Sequence, residues 1–161
     1  MLHPQLQTWF AEYNESHQHP TNRLTHKFAI PVIVFHIVAM LSWVRLPGPE
    51  LLGLPMSLGV VFAVGTLLFY LRYSMKYALL MAVSVIPMLY LAEVTPVWTV
   101  FALAVAGWLV QLAGHVVWEK KSPAFLRNLL QALIGPIYFL ALLTGDWSAE
   151  TGTVGEKAAA A

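Results

Sequence analysis

The sequence predicts an all-α membrane protein: a multi-pass transmembrane bundle of four to five spans with a short interfacial helix at its N-terminus. Of the 161 residues, 58% are apolar and only 11% are charged, and the mean hydropathy is +0.67. Ordinary soluble domains have about 45–50% apolar and about 25% charged residues. Helices are the expected way to cross the bilayer, because lipid offers the backbone no hydrogen-bond partners.

The first predicted element is an amphipathic helix over about residues 5–17. Leu6, Phe10, Tyr13 and His17 recur at intervals of three or four residues, which places them on one face of a helix. A short helix of this kind is expected to lie in the membrane interface.

Five apolar stretches are candidate spans, since a helix needs about 20 mostly apolar residues to cross the hydrocarbon. The third and the fifth are the weakest, because each contains a proline, Pro87 and Pro136, and an internal proline removes a helical hydrogen bond. The candidate spans are residues 28–44, 51–71, 77–92, 94–118 and 128–145. We predict one integral membrane domain over residues 1–145 and a flexible tail over residues 146–161.

The positive charges predict which side of the membrane each loop occupies. Seven of the nine Lys and Arg residues fall on the side of the N-terminus, which the positive-inside rule assigns to the cytoplasm. These seven are Arg23, Lys27, Arg72, Lys76, Lys120, Lys121 and Arg127. The expected location is a bacterial inner membrane or the endoplasmic reticulum.

The candidate metal ligands are histidines and a carboxylate, because the chain has no cysteine and so no thiolate site. His17, His19 and His26 come just before the first span, and His115 and Glu119 end the fourth. With the predicted topology all five reach one cytoplasmic interface, where they could form a metal site. Structural polar packing is the competing interpretation, and it is the more common role of an isolated interfacial histidine. The net charge of +1 gives no reason to expect a nucleic-acid partner.

Two motifs carry a resemblance to a known family. They are Tyr13-x3-His17-x4-Asn22-x3-His26-x3-Ile30-Pro31 and Gly114-His115-x3-Glu119-Lys120-x2-Pro123-Ala124. In this order, with apolar spans between them, they resemble the membrane-bound 2-hydroxy fatty acid dioxygenase family, whose characterised members shorten fatty acids by one carbon in phytosphingosine breakdown. The similarity runs from about residue 13 to residue 143. Ala29-Ile30 stands where the family often has glycine before the proline of the first motif.

The resemblance implies an Fe(II)-dependent α-oxidation of a long-chain 2-hydroxy fatty acid at the membrane. Dioxygen would be the co-substrate, the products would be the acid one carbon shorter and carbon dioxide, and no 2-oxoglutarate would be needed. The implied residues are His17, His26 and His115 as metal ligands, with Asn22 and Glu119 as further catalytic residues. Apart from the resemblance, His19 is an additional candidate ligand from its position beside them, and the charges of Arg23, Lys120 and Lys121 make these residues candidates for binding the substrate. Membrane lipid is the other expected partner, since interfacial cations also meet lipid phosphate.

Other functions remain open at this level. A zinc hydrolase acting on a lipid would use three histidines with Glu119 as general base. A haem protein would pair histidines as axial ligands on facing helices. A non-catalytic lipid-binding protein would need no metal. The histidine-rich boxes of a di-iron hydroxylase or desaturase do not occur in the sequence.

Overall fold

The computed structural model describes residues 2–121, 123 and 128–155. These residues are mostly helical, which confirms the all-α prediction. The helices are α1 Pro4–Glu15, α2 Pro20–Ser42, α3 Leu58–Tyr73, α4 Met75–Val94, α5 Val97–Ala113 and α6 Leu130–Thr144. A π-helical segment, Gly114–Glu119, continues α5. Two short antiparallel strands follow α6, β1 Trp147–Ser148 and β2 Thr153–Val154.

Three helices are long and apolar enough to cross a membrane: Pro20–Ser42, Met75–Val94, and α5 with its π-helical extension, Val97–Glu119. The apolar helices α3 and α6 have 16 and 15 residues. At 1.5 Å per residue each reaches roughly 22–24 Å, less than the hydrocarbon thickness of about 30 Å. The prediction of four to five spans is therefore not confirmed, whereas membrane-spanning helices as such are found.

Several helix boundaries differ from the predicted spans. α2 runs from Pro20 through the first predicted span, and a helix start at Pro20 is what the sequence predicts, because proline is well suited to the first turn of a helix. Residues 51–57 precede α3, which starts after Ser57, whose hydroxyl accepts the N–H of Val60 at 3.3 Å. α4 and α5 are separated at Thr95-Pro96, since the residue before a proline is disfavoured in a helix.

Contacts divide the chain into two compact units, Met1–Ile30 with Leu109–Ala161, and Pro31–Trp108. In the second unit α3 packs along α4, and a small core forms from Ala39, Ala92 and Val100. His36 lies buried in this unit, where its Nε2 accepts the indole N–H of Trp108 at 3.2 Å. This histidine has the structural role that an isolated buried histidine usually has. The prediction of one domain over residues 1–145 stays a prediction.

In the first unit, α1 packs against α6 and against the hairpin formed by β1 and β2. Leu6, Phe10 and Tyr13 are buried, so the predicted apolar face of α1 exists and is covered by protein. The ring of Phe10 meets Tyr138 of α6 and Trp147 of β1 edge-on, at centroid distances of 5.8 and 5.6 Å.

The segment after residue 145 differs from the flexible tail that we predicted. Residues 147–154 contain the β1–β2 hairpin, and Trp147 is 4% exposed. The side-chain amide of Asn14 donates to the carbonyl of Ala149 at 3.4 Å. The small and polar residues around Trp147 gave no sign of this hairpin in the sequence. Residues 156–161 lie outside the described part of the chain.

Candidate metal centre

Three histidines that are far apart in sequence meet inside the first unit. The side chains of His17, His26 and His115 are at most 1% exposed. One ring nitrogen of each lies within 4.8 Å of the others, a separation that can hold a metal ion. We call these residues the histidine triad.

His17 is placed by the end of α1. The last carbonyls of a helix lack helical partners. The His17 side chain offers a hydrogen-bond donor to one of these carbonyls, because its Nδ1 lies 2.7 Å from the carbonyl oxygen of Tyr13. A carbonyl can only accept, so Nδ1 carries the proton and Nε2 keeps the lone pair. The Tyr13 ring stacks on the imidazole at 3.9 Å with an interplanar angle of 5°, which fixes the plane of the ring.

His26 lies in the second turn of α2. Its Nδ1 is 3.4 Å from the hydroxyl of Thr25, and that hydroxyl donates its own proton to the carbonyl of Asn22 at 2.8 Å. The hydroxyl is therefore an acceptor toward His26. Nδ1 again carries the proton, and the lone pair of Nε2 faces the triad.

His115 enters the triad from the π-helical segment. Such wide turns are often found at functional sites, and the preceding glycine lets α2 come close. A Cβ at Gly114 would lie 2.3 Å from Asn22 Oδ1, 2.9 Å from Thr25 Oγ1 and 3.1 Å from His26 Cε1. Only glycine therefore permits this approach, which brings His115 Nε2 to 3.0 Å from His26 Nε2.

The ring arrangement fits a metal ion. The three ring centroids are 4.7, 4.9 and 4.8 Å apart, and the ring planes cross at 78°, 76° and 82°. Two imidazole nitrogens bound to one ion at about 2.1 Å lie roughly 3.0–3.4 Å apart, which matches the His26–His115 distance. Nε2 of His17 is buried and has no hydrogen-bond partner among the described residues, as expected of a nitrogen reserved for a metal.

Aromatic rings of α6 line one side of the triad. Phe139 of α6 contacts the rings of His17 and His26 at centroid distances of 6.3 and 6.1 Å, and Tyr138 lies 6.4 Å from His17. Burial, and next the nearby His26, lower the pKa of His17 well below its usual value of 6.5. Its imidazole is therefore neutral at physiological pH, the form that binds metals.

The other predicted site residues lie near the triad without being members of it. Glu119 accepts the backbone N–H of His19 at 2.7 Å and the amide N–H of Asn22 at 3.0 Å. These bonds tie the end of the π-helical segment to the start of α2. His19 is exposed, and its Nδ1 accepts the N–H of Thr21 at 3.2 Å. His19 thus caps α2, and the structure does not bring its ring into the triad.

The three predicted substrate-binding cations differ in their contacts. Arg23 donates to the carbonyl of Gln18 at 2.9 Å, which holds the loop that carries His17. Lys121 donates to the carbonyl of Glu15 at 3.2 Å. Lys120 is exposed and ends the π-helical segment with a positive φ of 52°.

Comparison with known proteins assigns the chain to a family. The model of the family described as "2-hydroxy-palmitic acid dioxygenase Mpo1-like" matches residues 3–147. The chain belongs to the Mpo1-like family. A curated relative is 2-hydroxy-palmitic acid dioxygenase MPO1 of Saccharomyces cerevisiae, which is 28% identical over 135 residues, covering 84% of this chain and 76% of that protein. No solved structure matches the chain.

The region shared with the Mpo1-like family extends from α1 through the first residue of the hairpin and so contains the whole triad. Membership confirms the predicted family. The sequence had not indicated the second set of residues that shapes the site: Thr25, Tyr138 and Phe139. Thr25 lies next to a motif histidine, but the two aromatic residues reach the triad from α6, and no sequence spacing links them to it.

Proposed function

We propose that this protein is an Fe(II)-dependent dioxygenase that oxidises long-chain 2-hydroxy fatty acids. The reaction is R-CH(OH)-COOH + O₂ → R-COOH + CO₂ + H₂O. The C1–C2 bond breaks, the substrate loses four electrons, and dioxygen takes up all four, so no 2-oxoglutarate or other reductant is required. The Mpo1-like match and the name of the yeast relative support the substrate class.

The observation that carries the proposal is the convergence of three buried imidazoles. An Fe(II) ion held by His17, His26 and His115 would supply electrons for dioxygen and open positions for substrate. All three ligands are neutral when they bind a metal, so the site would keep the full positive charge of the ion. In an apolar pocket this charge favours an anionic ligand, and a 2-hydroxy acid offers a carboxylate with a hydroxyl beside it.

The protein's own residues would bind and orient this substrate. Arg23 lies close enough to disfavour a positive charge on His17, so the same guanidinium would attract the substrate carboxylate. Lys120 and Lys121 lie at the end of α5's extension, where cations also meet lipid phosphate. The apolar side chains of α6, including Phe139, would exclude water from the reacting carbon. The acyl chain would extend along the apolar helices, with its carboxylate and 2-hydroxyl group at the triad.

The geometry gives less support to the two alternatives. A zinc hydrolase would need Glu119 as its base, whereas this carboxylate is turned toward the start of α2, where its Oε1 accepts the N–H groups of His19 and Asn22. A haem needs two histidines on opposite faces of its ring, which puts their nitrogens about 4 Å apart with the porphyrin between them. His26 and His115 are 3.0 Å apart, which leaves no room for the ring.

The test is product analysis with matched variants. The protein is purified without oxygen in detergent, loaded with Fe(II), and given 2-hydroxypalmitate with and without dioxygen. We expect pentadecanoate only with dioxygen, and no product from His17→Ala, His26→Ala or His115→Ala. His36→Gln is the control, a buried histidine outside the triad. Folded, iron-loaded protein that forms no shortened acid would refute the proposal, and retention of zinc by that protein would favour the hydrolase.

A further inference from the structure

The three triad histidines differ in how their second ring nitrogen is held. His17 has the carbonyl of Tyr13 and His26 has the hydroxyl of Thr25 as acceptors for the Nδ1 proton. The Nδ1 of His115 is buried and has no hydrogen-bond partner among the described residues. Metal-bound histidines almost always donate this second N–H to an acceptor, which orients the ring and raises its basicity. His115 therefore lacks an element that its two neighbours have.

A buried acceptor without a donor lies one helical turn away. Gln111 of α5 is 5% exposed, and its Oε1 has no partner among the described residues. An unpaired buried polar atom costs about 1–3 kcal/mol. Residues four apart occupy the same side of a helix, with Cβ atoms about 5–6 Å from each other. Gly114 next to His115 faces α2, so Gln111 shares the buried side of this helix.

We propose that Gln111 is a positioning residue of the metal centre: the two atoms are not hydrogen-bonded in this structure, and Gln111 Oε1 accepts the Nδ1–H of His115 once a metal is bound. The inference rests on the proposed metal site. In the 3.0 Å contact between His26 Nε2 and His115 Nε2, His26 has its proton on Nδ1, so the shared proton belongs to His115. When both nitrogens face a metal, the proton of His115 must reside on Nδ1. Gln111 then supplies the acceptor for this tautomer.

Glu119 is the competing acceptor, since it also lies four residues from His115. Two observations favour Gln111. Helical side chains lean toward the N-terminus of their helix, which tilts His115 toward residue 111 and away from residue 119. The carboxylate of Glu119 is also turned toward the start of α2, where its Oε1 accepts from His19 and Asn22, whereas Oε1 of Gln111 accepts nothing among the described residues.

The experiment measures metal affinity and the proton itself. Full-length protein labelled with ¹⁵N-histidine is prepared in detergent without metal, and Zn²⁺ is used as a diamagnetic probe in competition with a chelator. NMR of the zinc-loaded protein follows the Nδ1–H of His115. The variants are Gln111→Leu, which removes the acceptor at similar size, and Gln111→Glu, which keeps one. Gln131→Leu is the matched control, because Gln131 is also buried with an unpaired Oε1 but lies on α6.

We expect Gln111→Leu to weaken zinc binding by about 10–100-fold and to lose or shift the His115 Nδ1–H signal. Gln111→Glu should bind zinc at least as tightly as the wild type, and Gln131→Leu should bind unchanged. Wild-type affinity in Gln111→Leu would overturn the inference and leave the proposed function intact. Equal weakening in Gln131→Leu, or loss of the signal in Glu119→Leu alone, would also overturn it. A wild-type protein that binds no zinc would refute the metal site and the inference together.

Discussion

Replacement of Gly114 by alanine is predicted to disrupt the triad without touching a histidine. The new Cβ would lie 2.3 Å from Asn22 Oδ1 and 3.1 Å from His26 Cε1. Ordinary contact begins near 3.4 Å, so Asn22 must withdraw by about 1.1 Å and the His26 ring by about 0.3 Å. Strain of this kind costs about 1–3 kcal/mol. If metal binding must restore the close approach, this cost corresponds to a loss of affinity of roughly 5–150-fold.

The assay combines zinc competition with thermal unfolding in detergent. Two alanine controls separate the metal site from general packing. Gly65 of α3 has nothing within 4 Å of its added Cβ, so Gly65→Ala should keep affinity and gain up to about 1 kcal/mol of stability. A Cβ at Gly107 of α5 would have its nearest contacts with the side chains of Val32 and Ile33, at 3.2 Å, so Gly107→Ala should lower stability and not zinc affinity.

The reasoning would be refuted by a Gly114→Ala protein that binds zinc as tightly as the wild type. It would also be refuted if Gly107→Ala weakened zinc binding as much as Gly114→Ala, because the loss would then reflect helix packing in general. A stable Gly114→Ala variant with weak zinc binding is the expected result.

Three further predictions concern the residues around the triad. A Cβ at Gly135 would lie 2.9 Å from Tyr13 Oη, so Gly135→Ala should weaken zinc binding by displacing the ring that stacks on His17. Adding Tyr13→Phe, which removes this hydroxyl, should restore zinc binding. Purely additive effects in the double variant would contradict this explanation. Glu119→Gln should cost about 1–2 kcal/mol of unfolding free energy by weakening two charge-assisted hydrogen bonds, with zinc binding retained, and complete loss of binding would instead make Glu119 a ligand. Trp147→Ala should cost about 3–5 kcal/mol and expose α1 to limited proteolysis, and an unchanged cleavage pattern would mean that the hairpin does not hold α1.

The sequence predicted the class of fold and the family, and its candidate ligands include the three histidines that the structure brings together. Composition alone indicates membrane helices, because charged groups are too few for a soluble surface. The spacing of Leu6, Phe10 and Tyr13 predicts α1, and the same residues are buried on one side of it. His17, His26 and His115 were all candidates because histidine is the main ligand left to a chain without cysteine. These predictions depended only on residue types and on spacing within one helix, and a sequence shows both directly.

The sequence predicted helix lengths less well. α3 starts at Leu58, seven residues after the start of the predicted second span, because the residue before it, Ser57, pairs with Arg45 in a β-bridge. The hairpin was missed because its order depends on Trp147 reaching Phe10. Both outcomes depend on contacts between segments distant in the chain.

Only the tertiary structure decided which polar residues form the centre and how each is held. The sequence offered His19 as an additional ligand and Glu119 as a further catalytic residue, yet His19 caps a helix and Glu119 binds backbone and amide N–H groups. The physical reason is distance: a metal ion requires nitrogens to converge within a few ångströms, and glycine at position 114 allows that approach. Sequence determines which side chains can bind a metal, and the packing of helices determines which of them meet.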